Sequence, residues 1–260
     1  MIWLAVVVGL IGLEAGATRL FGRPRYGWRD SEVSLGLALG WAAAAMATGG
    51  LSLWIIQLGY DHRLIDLDQK SPWTLAAAIV AADFLYYLWH RASHAWRWMW
   101  ATHFVHHTAG RMNILASFRQ GWTDPISGTW LTFAPLGLLG FSPEVCGVYF
   151  TLLLVVQAAA HNEWAPRLGL LEWVLVTPSN HRVHHSLRRE HWDRNFGGVL
   201  VVWDRLFGTY APEGERLTAF GHSSFDPAST NPIEIATREW RLMARDALRR
   251  FRRPATPAEP

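Results

Sequence analysis

The chain has 260 residues, of which half are hydrophobic and 13% aromatic, and its formal net charge is +3. It contains sixteen tryptophans and a single cysteine, Cys146, so a disulfide framework and a thiolate metal site are both excluded. Nothing in the arginine-rich positive charge indicates nucleic acid, whereas tryptophan and long apolar runs together favour an integral membrane protein over a large soluble core.

Four apolar regions are compared with the ~20 residues that cross a bilayer. Residues 1–21 lack a basic leader region, which favours a retained anchor over a signal peptide. Residues 32–60 are rich in small residues that let helices approach closely, and residues 71–90 begin with a helix N-cap at Ser71 and Pro72. Residues 125–160 break at the sequence "GFSPE", which predicts two shorter helices forming a hairpin or a re-entrant pair.

The basic residues orient these regions. The loop after the first region carries four arginines, Arg19, Arg23, Arg25 and Arg29, whereas the loop after the second has only Arg63 and Lys70. By the positive-inside rule the first loop is cytoplasmic. The interpretation is an integral protein of a cell inner membrane, with the residues from His90 onward returning to the cytoplasmic side.

Histidines fall into clusters with helical spacing. His90 and His94 are four residues apart and share one helix face. Two copies of HxxHH predict two further faces, and His161 ends an apolar helix. The nine members are His90, His94, His103, His106, His107, His161, His181, His184 and His185. Imidazole is the commonest protein metal ligand, and nine nitrogens suit two ions with four or five ligands each.

The three remaining histidines, His62, His191 and His222, are interpreted as ordinary polar or surface residues, since a lone histidine more often has that role. The sequence thereby separates a clustered set with metal-binding chemistry from an isolated set without it.

The order of these motifs resembles the fatty acid hydroxylase and sterol desaturase superfamily. The resemblance runs from Asp83 to Tyr210 and includes "DFLYYLWHRASH", "TPSNHRVHH" and "WDRNFGGVLVVWDRLFGTY". It implies a membrane-bound enzyme with two iron ions, or zinc in isolated protein, held by the nine histidines, and with O2 as co-substrate. Many members carry a histidine where this chain has Asn180.

The resemblance further implies that the enzyme hydroxylates or desaturates a lipid, with cleavage of ether lipids as a third outcome. Hydroxylation of a fatty acyl, sterol-like or ether lipid is the preferred interpretation, and desaturation by the same site is the alternative. A membrane metal transporter or storage protein is the competing class. Because all clusters are predicted at one membrane face, whereas transport sites often lie near the midplane, the fixed site of an enzyme is favoured.

Two further residues are predicted to act in the site, Asp83 and Asn195. Asp83 lies seven residues before His90 in an apolar segment, where an acid is a functional candidate by default. It is expected either to accept an N–H from a metal-bound imidazole or to pair with a buried arginine such as Arg119. The resemblance further implies that Asn113, Arg119, Asp193 and Asn195 brace the site, since they match polar positions of the family, beside a tight turn at Gly197 and Gly198.

No flavin, nicotinamide, iron–sulfur or haem fingerprint is found, so electrons are expected from a separate ferredoxin-like or cytochrome-like donor. The expected fold is all-α, an integral membrane bundle of about four spanning helices or helix pairs with a cytoplasmic helical cap. Its regions are residues 1–89 (spans), 90–210 (catalytic, with a membrane hairpin at 125–161) and 211–260. The last contains an amphipathic basic helix that lies either on the membrane surface or on the cap, and a frayed tail.

Overall fold

The computed structural model describes residues 2–20, 26–226 and 228–252, and in this part of the chain all regular structure is helical. Two isolated bridges, Leu175 with Leu200 and Ser186 with Phe220, are the β-type pairings among these residues. The α-helices are Ile2–Leu20 (α1), Trp28–Asp61 (α2), Pro72–Ala95 (α3), Arg97–His103 (α4), Asp124–Ser127 (α5), Thr129–Leu138 (α6), Pro143–Ala160 (α7), Pro178–His184 (α8), Val202–Leu206 (α9) and Pro232–Arg252 (α10). The all-α prediction is confirmed for the described residues.

Two helices, α3 and α7, are long and apolar enough to cross a membrane. Only 28% and 22% of their most apolar windows are buried within the protein, which distinguishes them from the enclosed core helices of a soluble protein. Helix α3 begins where the sequence predicts, and α7 begins with a serine cap of the same kind. The Ser71 hydroxyl accepts the Trp73 N–H at 3.3 Å, and the Ser142 hydroxyl accepts the Val145 N–H at 3.4 Å.

The other apolar regions are also helical. Helix α1 covers most of the first region, and α2 extends over 34 residues, about 51 Å at 1.5 Å per residue. The break at "GFSPE" lies between α6 and α7, where Gly140 has a φ of +95°. Arg23 and Arg25 of the orienting loop, and the predicted tail at 254–260, lie outside the described residues.

Helices α2 and α6 are in backbone contact through glycine. A Cβ atom on Gly137 would lie 2.2 Å from the carbonyl oxygen of Ile56, and one on Gly59 would lie 3.0 Å from the oxygen of Ala134. No larger residue fits at Gly137 without separating the helices. The small residues of the second apolar region therefore have the close-packing role that the sequence predicts.

The main apolar core lies between α2, α3, α6 and α7. It consists of buried side chains from each helix, from the turn between α6 and α7 and from one distant loop: Ile56, Ala78, Ala82, Phe133, Leu136, Phe141, Val145, Cys146, Tyr149 and Val199. Val199 brings the segment before α9 against α3 and α7. This contact positions the later half of the chain over the ends of the apolar helices.

Helix α10 packs against α2 and α4. Its Ile235 and Ala236 are buried with Val33 and Leu37 of α2, and the Trp240 indole N–H donates to the Thr123 hydroxyl at 2.8 Å. The sequence left open whether this helix lies on the membrane surface or packs on the cap. The structure shows it packed on α2 and α4.

Candidate metal centre

The histidines come from four helices and the turns that follow them. His90 and His94 lie in the last two turns of α3, and His103 is the last residue of α4. His106 and His107 belong to a short 3-10 turn, and His161 caps the C-terminus of α7. Helix α8 provides the rest, starting with a capping box in which Thr177 and Asn180 exchange hydrogen bonds.

All nine predicted histidines lie in two clusters. The five-histidine cluster contains His90, His94, His103, His107 and His184, and the four-histidine cluster contains His106, His161, His181 and His185. Within each cluster one ring nitrogen per residue lies within 4.8 Å of all the others. The arrangement matches the expected four or five nitrogens per ion.

The two HxxHH motifs divide in the same way, which corrects the expectation that each presents one shared face. In each motif the first and last histidines join one cluster, while the middle one joins the other. His106 crosses to the cluster of His181 and His185, and His184 crosses to the cluster of His103 and His107. Each motif therefore contributes ligands to both clusters.

Backbone carbonyl groups orient several of the rings. The Nδ1 atoms of four histidines lie within hydrogen-bond distance of carbonyl oxygens: His90 with Phe196 (2.8 Å), His106 with Arg119 (3.3 Å), His161 with Gln157 (2.7 Å) and His184 with Arg194 (2.8 Å). A carbonyl only accepts, so Nδ1 carries the hydrogen in the neutral ring and Nε2 presents a lone pair. This is the outer contact that metal-binding histidines commonly make.

The facing nitrogens are spaced as ligands of one ion are. The Nε2–Nε2 distances are 3.0 Å for His90 with His103, 3.2 Å for His103 with His107 and 3.2 Å for His161 with His181. Neighbouring ligands on a metal with bonds of 2.0–2.1 Å lie about 2.9–3.4 Å apart.

Several buried ring nitrogens have no hydrogen-bond partner among the described residues: His94 Nε2, His184 Nε2 and both nitrogens of His185. Buried polar atoms are seldom left without a partner. Together with the ligand-like spacing, these nitrogens show a donor set that fits metal ions.

Burial keeps the imidazoles neutral. It is the main cause that lowers the pKa of His103, His106, His107, His181 and His185 well below the ordinary 6.5, and the neighbouring histidines lower it further. Burial also lowers the pKa of His161 to about 4 and that of His184 to about 3. At pH 7 these rings are in the deprotonated form that binds a metal.

The structure corrects both expectations for Asp83. Its carboxylate accepts backbone N–H groups of Val199 (2.7 Å) and Leu200 (3.0 Å), the indole N–H of Trp203 (2.9 Å) and the hydroxyl of Tyr149 (3.1 Å). No described histidine donates to it. Asp83 instead holds the segment Phe196–Leu200, here called the glycine loop, whose Phe196 carbonyl orients His90.

Arg119 pairs with Asp30 of α2, not with Asp83. Its guanidinium also donates to the Ser34 hydroxyl at 2.9 Å and to the Thr108 carbonyl at 3.1 Å. The backbone carbonyl oxygen of Arg119 lies 3.3 Å from His106 Nδ1. It therefore connects α2 to the turn that carries His106 and His107.

Asn195, predicted as a catalytic residue, has a scaffolding position. Its side-chain amide donates to the carbonyls of Asn180 (2.9 Å) and Ala211 (2.8 Å) and accepts the Ala211 N–H at 2.9 Å. Its φ is +58°, in the left-handed region that asparagine tolerates better than most residues. It ties the start of α8 to the chain after α9.

The other predicted bracing residues are also near the clusters. Asp193 lies 3.2 Å from His94 Nδ1, and the Asn113 side chain accepts the Ala116 N–H at 2.8 Å. Asn180, the position where many superfamily members carry histidine, accepts from the Thr177 N–H and hydroxyl. Asn180 therefore caps the start of α8, and neither histidine cluster includes it.

Sequence reasoning missed two buried carboxylates that support the site. Asp204 accepts the N–H groups of Phe196 and Gly197, both at 2.8 Å, at the start of the glycine loop, whereas Asp83 binds its end. Glu213 pairs with Arg182, which is fully buried between His181 and His184 in α8. Two signals were available in the sequence. Asp204 lies within "WDRLFGTY", and Arg182, the partner of Glu213, lies within "NHRVHH".

A cavity of about 210 Å³ reaches the five-histidine cluster. His94, His107 and His184 line it together with residues outside the cluster, among them Trp100, Trp192 and His222. No member of the four-histidine cluster lines it. An ion held by the five histidines would thus be the one accessible from this cavity.

Comparison with known proteins agrees with this geometry. A family model described as fatty acid hydroxylase matches residues 75–209. Human alkylglycerol monooxygenase is 39% identical over 162 residues, which is 62% of this chain and 36% of the human protein. The ornithine lipid hydroxylase OlsE of Rhizobium tropici is 32% identical over 132 residues, 51% of this chain and 40% of that protein.

A cholesterol 25-hydroxylase-like protein of Danio rerio is 25% identical over 195 residues, 69% of this chain and 76% of that protein. No solved structure matches the chain. The chain spans little more than a third of the length of the alkylglycerol monooxygenases that it matches. Since the family model covers more than half of the chain and every histidine of both clusters, this chain belongs to the fatty acid hydroxylase family.

Proposed function

We propose that this protein is a membrane-bound lipid hydroxylase that uses two iron ions, O2 and electrons from a separate donor. The observation that carries the proposal is the pair of histidine clusters, five and four residues with converging ring nitrogens, at the end of a membrane-length helix. Zinc can fill the same ligand set in isolated protein, because imidazole suits both metals. The proposed ligands are the nine histidines of the two clusters.

The reaction balances as a monooxygenation. A lipid C–H group, O2, two electrons and two protons give the alcohol and water. The iron ions would supply the oxidising power for an unactivated C–H bond, which no side chain of the protein has. Hydroxylation next to an ether oxygen gives a hemiacetal, which separates into an aldehyde and an alcohol.

The chain's own residues keep the ligands in place. The carbonyls of Phe196, Arg119, Gln157 and Arg194 fix the rings so that Nε2 faces the cluster. Asp83 and Asp204 hold the two ends of the glycine loop, and Asn195 holds the start of α8. We assign these three as positioning residues and not as groups that touch the substrate.

Two relatives suggest the kind of lipid. The names alkylglycerol monooxygenase and ornithine lipid hydroxylase refer to lipids with polar head groups. An ether lipid or a related polar lipid is therefore our first choice of substrate. Desaturation at the same site is the second candidate, since removal of two hydrogens needs the same metals and oxidant.

A metal transporter is disfavoured by the rigid anchoring of the rings, since four of the nine are fixed by backbone carbonyls. For location we propose a cell inner membrane with the clusters on the cytoplasmic side, on the basis of the arginines after α1. Residues 1–89 would then anchor the catalytic region 90–210, with residues 211–260 packed on it. Electrons would come from a ferredoxin-like or cytochrome-like protein.

Metal content tests the proposal directly. Protein produced with added iron and purified in detergent should hold about two ions per chain by elemental mass spectrometry. A variant with His106→Ala and His184→Ala, which removes one histidine from each cluster, should hold few. Lipid profiling of expressing cells in the presence and absence of O2 then identifies the hydroxylated product. A folded parent protein without metal would overturn the proposal.

A further inference from the structure

The cavity beside the five-histidine cluster is also lined by polar residues that are not among the nine histidines. Ser186, Asp193 and His222 all line it, and none of the three belongs to either histidine cluster. Asp193 has a side chain that is 73% exposed. The same cavity is lined by His94, His107 and His184 of the five-histidine cluster, so a molecule bound in it lies beside the proposed metal ligands.

The size of the cavity limits what it can hold. Its volume of about 210 Å³ is smaller than the roughly 300–1,000 Å³ of pockets that enclose a drug-sized molecule. A long acyl chain does not fit in this space. The polar end of a lipid and the first carbons of its chain do fit, with the rest of the chain outside.

The ring of His222 is oriented as a hydrogen-bond donor. Its Nδ1 lies 2.9 Å from the Ser224 hydroxyl oxygen and 3.3 Å from the Ser224 backbone N. The backbone N–H only donates, so Nδ1 accepts from it, and the hydroxyl can donate to the same atom. In the neutral ring Nε2 then carries the hydrogen. The ring packs on Trp100 at 5.3 Å and Phe104 at 5.4 Å between centroids, so its orientation is fixed before any ligand binds.

The segment behind His222 is anchored as well. Arg238 of α10 donates to the Ser224 carbonyl at 2.7 Å, and the Gly221 N–H donates to the His185 carbonyl at 3.1 Å. The turn that carries His222 is thus tied to α10 on one side and to a histidine of the four-histidine cluster on the other. Its distance from the metal centre is set by the fold.

We propose that this cavity binds the hydroxyl-bearing end of a polar lipid, such as a glycerol head group, with His222 as a positioning residue. Ser186 and Asp193 offer further partners for the hydroxyl groups, and Trp100 and Trp192 cover the first carbons of the chain. The C–H bond that is oxidised then lies within a few bonds of the head group and not in the middle of the chain. This inference rests on the proposed hydroxylase function and adds the part of the substrate that is recognised.

Binding and product position test it together. Metal-loaded protein in nanodiscs is titrated with a radiolabelled long-chain monoalkylglycerol and with its di-O-methyl derivative, in which both hydroxyls are capped. The proteins are the parent, His222→Phe, His222→Gln and the matched control His62→Phe, whose exposed histidine lies at the end of α2. The position of oxidation in the product is read by mass spectrometry.

Loss of one directed hydrogen bond predicts about tenfold weaker binding of the free monoalkylglycerol by His222→Phe. Capping should weaken binding to the parent by at least the same factor, His222→Gln should restore most of the affinity, and His62→Phe should bind like the parent. KM should rise in His222→Phe more than kcat falls. The product should carry oxygen on the carbon beside the ether.

The two failures are distinguishable. Mid-chain oxidation, or equal affinity of the parent and His222→Phe for the free lipid, overturns the cavity assignment while the hydroxylase function stands. Affinity that depends on His222 and on free hydroxyls, in a protein that oxidises no lipid, supports the head-group site and overturns the proposed function.

Discussion

Asp83 and Val199 are 116 residues apart in the sequence, yet the Asp83 carboxylate accepts the Val199 backbone N–H at 2.7 Å. The same carboxylate accepts the neighbouring Leu200 N–H. The glycine loop is therefore held by an acid of α3, seven residues before His90, and its Phe196 carbonyl returns to the Nδ1 of that histidine. Helix α3 thus carries both the proposed ligand His90 and Asp83, the residue that holds the loop whose carbonyl is bonded to His90.

We expect Asp83→Asn to lower the free energy of unfolding by about 3 kcal/mol and to reduce metal content. An asparagine side chain has one acceptor oxygen and directs N–H groups toward donors, so at least one buried donor loses its partner at a cost of roughly 1–3 kcal/mol each. Thermal denaturation and elemental analysis measure the two effects. Asp66→Asn is the control, since Asp66 is 85% exposed in an ion pair with Arg63, and surface pairs contribute about 0–1 kcal/mol.

Gly198 allows the glycine loop to approach α3. A Cβ atom there would lie 2.7 Å from a ring carbon of Tyr86 and 2.8 Å from both Asp83 Oδ1 and Leu153 Cδ1. Gly198→Ala should therefore destabilise the protein by about 1–3 kcal/mol, the usual range for overpacking, and should displace the Phe196 carbonyl from His90. Gly147→Ala in α7 is the matched variant, because a Cβ there meets nothing within 4 Å. Equal melting temperatures for the two variants would contradict the close-packing role.

The histidine spacing predicted that nine imidazoles assemble, because residues four apart on a helix share a face. It did not predict which histidine joins which cluster. His103 and His107 are brought to the same ion site by the end of α4 and a 3-10 turn, while His106 points to the partner cluster. That division depends on where one helix ends, which is the least predictable feature of a sequence.

The partners of Asp83 were not predictable for a different reason. Three of its four donors come from residues 199–203, and two are backbone N–H groups that any non-proline residue would provide. Side-chain chemistry therefore gave no signal at those positions. The helix N-caps at Ser71, Ser142 and Thr177 carry local signals of their own, and the helices begin there.

The two clusters should lose metal separately. His181→Ala removes a ligand of the four-histidine cluster alone, and His94→Ala removes one of the five-histidine cluster alone. We expect each variant to retain about one of two ions, because ligand removal weakens the ion that it touches most. Elemental mass spectrometry after dialysis measures the content. If either substitution released both ions from a protein that still melts cooperatively, the two clusters would have to be treated as a single linked site.

Glu213 and Glu215 offer a matched pair two residues apart. The Glu213 carboxylate is buried, accepts the Arg182 Nε–H at 2.7 Å and also accepts the Leu217 N–H at 3.1 Å. Glu215 is 90% exposed and lies 3.9 Å from Arg188. Only the first of the two carboxylates neutralises a buried charge inside α8.

Glu213→Gln should therefore destabilise the protein by about 3–5 kcal/mol, because a buried ion pair that loses one partner leaves an uncompensated charge. Glu215→Gln should change stability by less than about 0.5 kcal/mol. Since Arg182 lies between His181 and His184, the first variant should also lose metal from both clusters, whereas the second should keep the parent's content. A stable Glu213→Gln protein with full metal content would show that Arg182 is held by the carbonyls of Asn162 and Ala165 alone, to which it donates at 2.8 and 3.1 Å.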